Sequence, residues 1–141
     1  MENSGKGRTI RTIQFGEFEV SENHIFYFEN GVLGFEELRE FVLISEEETA
    51  PFKWLISLDV PDIGFPCLSP WHVDFTYSPG KEFDLENEVL LTIITLDDGN
   101  GRMTANLKAP IVLDVKQQKG KQIILPSDRY SPNFVITKHR E

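Results

Sequence analysis

Cys67, Ser69 and His72 are the residues of this sequence whose types and spacing come nearest to a catalytic pair. A serine or cysteine nucleophile needs a base such as histidine within hydrogen-bonding reach. No G-x-S-x-G, Walker A or G-x-G-x-x-G motif accompanies these residues. A hydrolase built on a β-barrel, with carboxylates or His72 converging in a pocket, is therefore only a third hypothesis.

Metal-ligating residues are few and scattered. The three histidines, His24, His72 and His139, are far apart in the chain, and Cys67 has no cysteine partner. Zinc sites need clustered imidazole or thiolate ligands. We therefore predict no metal ion and no cofactor, and we interpret His24 and His72 as strand residues and His139 as part of the C-terminal end.

Acidic residues predominate over most of the chain. Residues 12–101 hold nineteen acids and three bases, a net charge of −16, whereas residues 102–141 hold eight bases and three acids. The acidic part would repel phosphate and favours encounter with a basic protein partner. The alternative is that the acids only keep a small protein soluble. Glu46, Glu47 and Glu48 are typical of a solvated loop rather than a catalytic dyad.

The basic C-terminal part supports a second hypothesis, an OB-like barrel that binds nucleic acid. Such a site needs exposed aromatic rings beside a basic face. The residues that would have to share that face are Arg102, Lys108, Lys116, Lys119 and Lys121.

Aromatic residues are the better indication of a binding surface. Phe52 and Trp54 share one face of a short predicted strand, and Trp71 and Phe75 share a face of another. The core is the usual place for such rings, but tryptophan is enriched in binding hot spots. Trp54 is therefore a candidate for partner contact, with burial as its alternative.

Short apolar or alternating runs predict about ten strands, with hairpins at "DDGNG" and "KQQKGK". We predict an all-β fold, a small antiparallel β-barrel or barrel-like sandwich with one or two short helices. The helix candidates are residues 34–41, where Phe35, Leu38 and Phe41 recur, and a turn at 82–88. The predicted strands are 12–20 with a bend at Gly16, 24–28, 41–44, 53–58, 71–77, 88–96, 103–107, 111–115, 122–125 and 134–137.

The stretch "TANLKAPIVLDV", residues 104–115, alternates and then breaks at Pro110. Arg102, Thr104, Asn106 and Lys108 would form one polar stripe. The stripe fits a sheet edge or a partner-facing surface, because proline removes a ladder hydrogen bond. The favoured alternative is architectural, with the Asn106 amide holding a neighbouring loop and Pro110 fixing a barrel corner.

Length predicts one domain over residues 1–141, with residues 1–8 and 138–141 expected to fray. A single cysteine suits a reducing compartment. The N-terminus lacks the apolar core of a signal peptide, and the longest apolar run is too short to cross a bilayer. We expect a cytoplasmic protein, monomeric on its own.

Four segments together resemble the bacterial flagellar assembly factor FliW family, in the same order and over nearly the whole chain. They are "FENGVLGFEELREFVLI", which holds Gly34 and Phe35, then "PFKWLIS", "TANLKAPIVLD" and "KQIIL" followed by a tyrosine. The strongest match runs from Asn106 through Pro110 to Val112, and Gln122 and Tyr130 follow where the family has them. The chain departs from the family at Leu33, Ile56 and Ser69-Pro70, and it is shorter between Tyr77 and Glu88.

The resemblance implies a β-barrel-like protein that is not an enzyme. It implies binding to CsrA, a dimeric RNA-binding translational repressor, so that CsrA no longer silences the flagellin message. It also implies binding to flagellin, which releases CsrA when flagellin accumulates. Direct binding to nucleic acid or a membrane is not implied.

The predicted partner surface includes Phe52, Trp54, Lys108 and Tyr130. Glu46, Glu47 and Glu48 would steer a basic partner towards it. The residues predicted to serve the family's architecture are Gly34, Phe35, Asn106, Pro110 and Gln122.

Overall fold

A computed structural model describes residues 7–81 and 83–136. Within them lie eleven strands, one short helix and two single turns of 3-10 helix, at Glu22–His24 and Glu47–Thr49. The strands are β1 (Gly7–Thr12), β2 (Gly16–Ser21), β3 (Ile25–Phe28), β4 (Glu40–Ser45), β5 (Lys53–Ser57), β6 (Gly64–Leu68), β7 (Glu88–Thr95), β8 (Thr104–Ala105), β9 (Ile111–Asp114), β10 (Lys119–Gln122) and β11 (Phe134–Val135), and the helix is α1 (Pro70–Val73).

Seven strands form a closed barrel. Their order is β7-β6-β5-β4-β3-β10-β9, and β9 pairs again with β7, so that the first and last strands meet. The predicted all-β barrel with very little helix is thus confirmed. One pairing differs from the antiparallel prediction, because β10 runs parallel to β3.

The barrel interior is filled by large apolar side chains. Phe28, Phe41, Leu55, Leu91 and Leu113 are almost completely buried there, with the rings of Phe28 and Phe41 packed edge to face at 4.9 Å. These residues alternate along their strands with residues that point outwards. The inward set therefore forms a single layered core.

Two outer layers bury the faces of the barrel strands that point away from the barrel interior. The β1–β2 hairpin lies over β3, β4 and β5, where it covers Val42, Trp54 and Ile56. The segment around α1 and the C-terminal residues cover β6, β7 and β9, and they bring Tyr77 and Tyr130 against these strands. Because both faces are covered, the barrel strands read in sequence as continuous apolar runs rather than alternating ones.

The parallel pair closes the barrel at a tight contact. Gly120 is the register partner of Phe28, and a β-carbon at Gly120 would overlap two atoms of the Phe28 ring. The ring thus occupies the space that any larger residue would need. Glycine at position 120 is required for this packing, since no side chain fits beneath the ring.

The predicted helix over residues 34–41 is wrong. Gly31 and Gly34 adopt positive φ angles of 65° and 87°, and Val32 pairs with Phe35 in an isolated bridge. The segment therefore folds as a compact loop. Phe35 packs over the barrel interior, with its ring 5.2 Å from that of Phe65. The recurring apolar residues reflect this cap and not helical periodicity.

Two strand predictions are corrected by turns. Residues 12–20 are not one bent strand, because they end β1, turn and form β2 beginning at Gly16, whose φ is 73°. Residues 71–77 are not a strand, because Pro70 starts α1, as proline favours the first turn of a helix. His24 and His72 accordingly lie in helical turns rather than strands.

Strand β6 was not predicted, since Gly64 and Pro66 are both disfavoured in strands. Strand β10 ends at Gln122, where the predicted strand 122–125 was meant to begin. Of the residues expected to fray, Gly7 and Arg8 are paired in β1. Residues 1–6 and 137–141, including His139, lie outside the described residues.

Replacing Gly120 by alanine tests the closure. We expect Gly120→Ala to lower the free energy of unfolding by roughly 2 kcal/mol, because the Phe28 ring or the parallel pair must shift to admit the methyl group. Chemical denaturation measures the change. Lys121→Ala, at an exposed position of the same strand, is the control and should change stability by less than about 0.5 kcal/mol. Equal stability of the two variants would contradict the packing described.

Candidate functional site

The connections of the barrel emerge at two ends. Residues 46–52, 69–81, 83–87 and 115–118 lie at one end, which we call the α1 end. Residues 29–39, 58–63 and 106–110 lie at the opposite end.

Glu46, Glu47 and Glu48 are exposed at the α1 end. Glu47 and Glu48 belong to the 3-10 turn Glu47–Thr49, which ends at Ala50. The turn is anchored from below, because the Trp54 indole N–H donates to the Thr49 hydroxyl at 3.0 Å. The carboxylates are therefore held near a fixed part of the fold while remaining open to solvent.

Trp54 is buried, with 6% of its surface exposed. Its ring packs against Phe15 of the hairpin turn at 5.3 Å, and its one polar atom is bonded to Thr49. The structure thus places Trp54 in the outer layer beneath the β1–β2 hairpin. A direct contact of Trp54 with a partner stays a prediction, and it would require the hairpin to move.

Phe52 is half-buried and connects the two outer layers. Its ring lies 6.4 Å from that of Trp54, and it packs at the edge of both outer clusters. Extending the β5–β6 register places it opposite Leu68, just before α1. Phe52 therefore joins the acidic turn to the α1 segment.

Tyr130 and Lys108 are placed differently from each other. The buried Tyr130 ring is 4.6 Å from Tyr77, its hydroxyl accepts the Ser78 N–H at 2.7 Å, and it belongs to the outer cluster against which Phe52 packs. The Lys108 ammonium donates to the Ser127 carbonyl at 2.7 Å and lies 3.5 Å from Asp128. The structure thus brings Glu46–Glu48, Phe52 and Trp54 together and places Tyr130 beneath the same end, but it leaves Lys108 in the connection 106–110 at the opposite end.

The residues predicted as architectural join loops at the opposite end. The Gln122 amide accepts from the Leu33 N–H at 2.8 Å and donates to the Ala109 carbonyl at 3.0 Å. Asn106 accepts the Ala109 N–H at 3.0 Å. Gly34 supplies a left-handed turn, Phe35 caps the barrel and Pro110 is fully buried next to β9.

The polar stripe does not form an exposed face. Thr104 is buried, and its strand β8 is paired on one side with β7 and on the other with β11. Arg102 pairs with Asp98 at 3.0 Å in the β7–β8 connection. The edge interpretation of this stretch is therefore wrong for the described fold.

Of the two suggested nucleophiles, Ser69 caps α1 and its carbonyl accepts the backbone N–H of His72 at 2.9 Å, whereas Cys67 is not brought to His72. The Cys67 thiol is buried inside the barrel, where burial raises its pKa to about 12, whereas His72 is exposed on α1. A thiol with that pKa is protonated near neutral pH and is a poor nucleophile. Within residues 7–81 and 83–136 no three histidine, cysteine or carboxylate side chains cluster as metal ligands.

A shallow groove of about 280 Å³ crosses the outer wall of the barrel between the two outer layers. Tyr27, Lys119 and Lys121 line it together with Glu29, Glu88 and Asp114. Three acids line the groove against two lysines, so it is not a basic surface of the kind that binds nucleic acid. The other bases of the nucleic-acid hypothesis lie elsewhere, with Arg102 and Lys108 engaged in ion pairs.

Sequence reasoning grouped Phe75 with Trp71 and did not predict that only Phe75 is strongly exposed. Phe75 is 86% exposed, in the turn directly after α1, whereas Trp71 is half-buried and donates its indole N–H to the Tyr77 carbonyl at 2.9 Å. The predicted alternation had placed the two rings on one face of a strand. The D-x-T spacing of Asp74 and Thr76, typical of a side-chain-capped turn, was the available signal.

No helix among the described residues has the length and apolar character of a membrane span.

The described fold is a small closed β-barrel. An outer layer covers it on two sides, and side chains at one end join its loops. Comparison with known proteins makes the class specific. The family model described as FliW protein matches residues 9–136, so the chain belongs to the FliW family.

Known relatives and a solved structure match this chain over most of their lengths. The flagellar assembly factor FliW of Caldanaerobacter subterraneus subsp. tengcongensis is 39% identical, covering 86% of this chain and 87% of that protein. The protein of the same name from Thermotoga petrophila is 37% identical, covering 91% and 93%. A crystal structure of the flagellar assembly factor FliW matches with a TM-score of 0.81 and 32% identity, over 95% of this chain and 100% of that chain.

Replacing Trp54 by alanine tests whether its ring packs beneath the β1–β2 hairpin. We expect Trp54→Ala to reduce the free energy of unfolding by roughly 3–4 kcal/mol, because it leaves a cavity under the hairpin. Denaturant unfolding measures the loss, and the exposed Phe75→Ala is the matched aromatic control, expected within about 0.5 kcal/mol of wild type. A Trp54→Ala protein as stable as wild type would show that the ring is not a packing residue.

Thiol labelling tests the burial of Cys67. At pH 8 a chromogenic disulfide reagent should react with the native protein slower, by roughly a hundredfold or more, than with the protein in denaturant. The reason is that the native thiol is both protonated and enclosed by the barrel. Rapid labelling of the native protein would place the thiol at the surface and revive it as a candidate nucleophile.

Proposed function

We propose that this protein is a non-enzymatic regulator of flagellar assembly that binds and antagonises CsrA and also binds flagellin. Membership of a family whose curated relatives are named flagellar assembly factors carries the proposal. CsrA would be kept from the flagellin message while free protein is present, and flagellin would displace CsrA by occupying the protein. The regulator acts in the cytoplasm, as a monomer on its own.

The charge of the α1 end supports a basic partner. The three exposed carboxylates Glu46–Glu48 leave the barrel at the same end as the described residues of the β6–β7 connection, 69–81 and 83–87, which hold three acids and one base. A protein that binds RNA carries a basic surface, since phosphate neutralisation supplies much of its affinity. Opposite charges speed the encounter and fix its orientation, while contributing less to the lifetime of the complex.

The predicted contact residues have two different roles in the proposed binding, because some are exposed and others are buried. Glu46–Glu48 and Phe52 offer surface at the α1 end, and Lys108 is partly exposed at the other end. Trp54 and Tyr130 support that surface from beneath, Trp54 through Thr49 and Tyr130 through Ser78. Their substitution would therefore weaken binding indirectly, by loosening the turns that they hold.

Competition with RNA tests the proposal. Purified protein added to a labelled CsrA–RNA complex should release the RNA in a saturable manner, and flagellin added afterwards should restore the complex. The protein alone should not shift single-stranded RNA. Failure to disturb CsrA–RNA binding at tens of micromolar would overturn the proposal, and a shift of RNA without CsrA would favour the nucleic-acid barrel instead.

Neutralising the acidic turn should slow association. With Glu46→Gln, Glu47→Gln and Glu48→Gln combined, we expect the association rate with CsrA to fall by roughly fivefold at low salt and the dissociation rate to change little. Stopped-flow or surface-binding kinetics at two salt concentrations measure both rates.

The control makes the same change in charge at the opposite end of the barrel. Its substitutions are Glu29→Gln, Glu37→Gln and Asp62→Asn, all at exposed positions. If both triple variants slow association equally, the effect reflects net charge and not a partner surface at the α1 end.

A further inference from the structure

Phe75 is displayed on a turn that the structure holds firmly. The Asp74 carboxylate accepts hydrogen bonds from both the backbone N–H and the hydroxyl of Thr76, at 2.9 and 2.6 Å. These bonds hold the pKa of Asp74 below its ordinary value. The Tyr77 N–H returns to the Asp74 carbonyl at 2.9 Å. The residue between them, Phe75, therefore points out of a closed turn with 86% of its surface exposed.

Buried aromatic residues anchor this turn to the barrel. The Tyr77 hydroxyl donates to the Leu107 carbonyl at 2.8 Å, and the Trp71 indole N–H donates to the Tyr77 carbonyl at 2.9 Å. The Ser78 N–H donates to the Tyr130 hydroxyl at 2.7 Å. Each bond is made from the turn or its flank to a packed residue. The turn thus has the rigidity that a partner would otherwise have to impose on binding.

Phe75 lies at the α1 end, which carries a net negative charge. The described part of its connection holds Asp74, Asp84 and Glu86, and Arg129 and Lys116 lie near the first two of these carboxylates. With Glu46–Glu48 the end has six acids against three bases, the third base being Lys81. The acidic turn Glu46–Glu48 leaves the barrel at the same end. An exposed ring with an acidic surround is complementary to an apolar pocket with a basic rim.

We propose that Phe75 is the hydrophobic anchor of the α1 end and inserts into an apolar pocket with a basic rim on CsrA. This inference rests on the proposed function, which it deepens by naming the contact. A rigid aromatic side chain loses little conformational freedom on binding and buries a large area, so it can dominate an interface. A second copy of this chain is a poorer occupant, because two α1 ends would face each other with like charges.

Affinity for purified CsrA and for purified flagellin, measured by calorimetry, tests the anchor. We expect Phe75→Ala to weaken CsrA binding by roughly thirtyfold and Phe75→Trp to retain it within about threefold. Ile13→Ala is the matched control, because Ile13 is 85% exposed in the turn of the β1–β2 hairpin. It should bind as wild type does. Circular dichroism and denaturant unfolding of all variants verify that each is folded.

The outcomes separate the anchor from the proposed function. If the wild-type protein binds neither CsrA nor flagellin, the proposed function fails and the named contact with it. If wild type binds CsrA and Phe75→Ala binds equally well, the anchor is overturned while the function stands. Loss of flagellin binding alone, or a dimer in sedimentation that Phe75→Ala abolishes, would assign the ring to another partner and overturn the inference.

Discussion

Closure of the seven-stranded barrel is the constraint on which the other features depend. When β9 pairs with β7, every barrel strand has a neighbour on both sides, and the inward side chains must fill one enclosed volume. Phe28, Phe41 and Leu55 fill it, and Gly120 leaves room for the Phe28 ring. Closed pairing removes the open edges at which an apolar sheet would join other chains. Binding must then depend on connections and on the outer layers.

The outer layers explain why the barrel strands could be predicted from the sequence, since strands covered on both sides are continuously apolar. Runs such as Val89–Leu96 are apolar on both faces, so they indicated strands of a barrel or sandwich, and the barrel was found. Elements set by single glycines and prolines were harder to predict. Gly31 and Gly34 turned an apparently helical repeat into a loop, and Gly64 and Pro66 concealed β6. The parallel pairing of β10 with β3 joins residues far apart in sequence, which local patterns do not encode.

The sequence predicted the negative charge of the candidate surface, but it did not predict which aromatic side chains are exposed there. The acidity of residues 12–101 is a property of composition, and Glu46–Glu48 are exposed where a loop was expected. Burial depends on what covers a strand, and nothing near Trp54 in the sequence shows that the β1–β2 hairpin does so. The resemblance rested on residues such as Asn106 and Gln122, whose side chains join loops. The features that identify the family are in that respect separate from the exposed ring of Phe75.

Among residues 7–81 and 83–136, the β1–β2 hairpin pairs only with itself, in a two-stranded sheet separate from the barrel. Its attachment comes from apolar contacts and from the Arg8 guanidinium, which lies 3.0 Å from Glu22 and 3.4 Å from Glu40. Release of the hairpin would break none of the seven barrel pairings. Local unfolding of this unit would uncover Val42 and Trp54 while the barrel stays closed, so its amide protons should exchange with solvent ahead of those in β5. The hairpin thus shields an apolar surface of the barrel while taking no part in the backbone pairing that closes it.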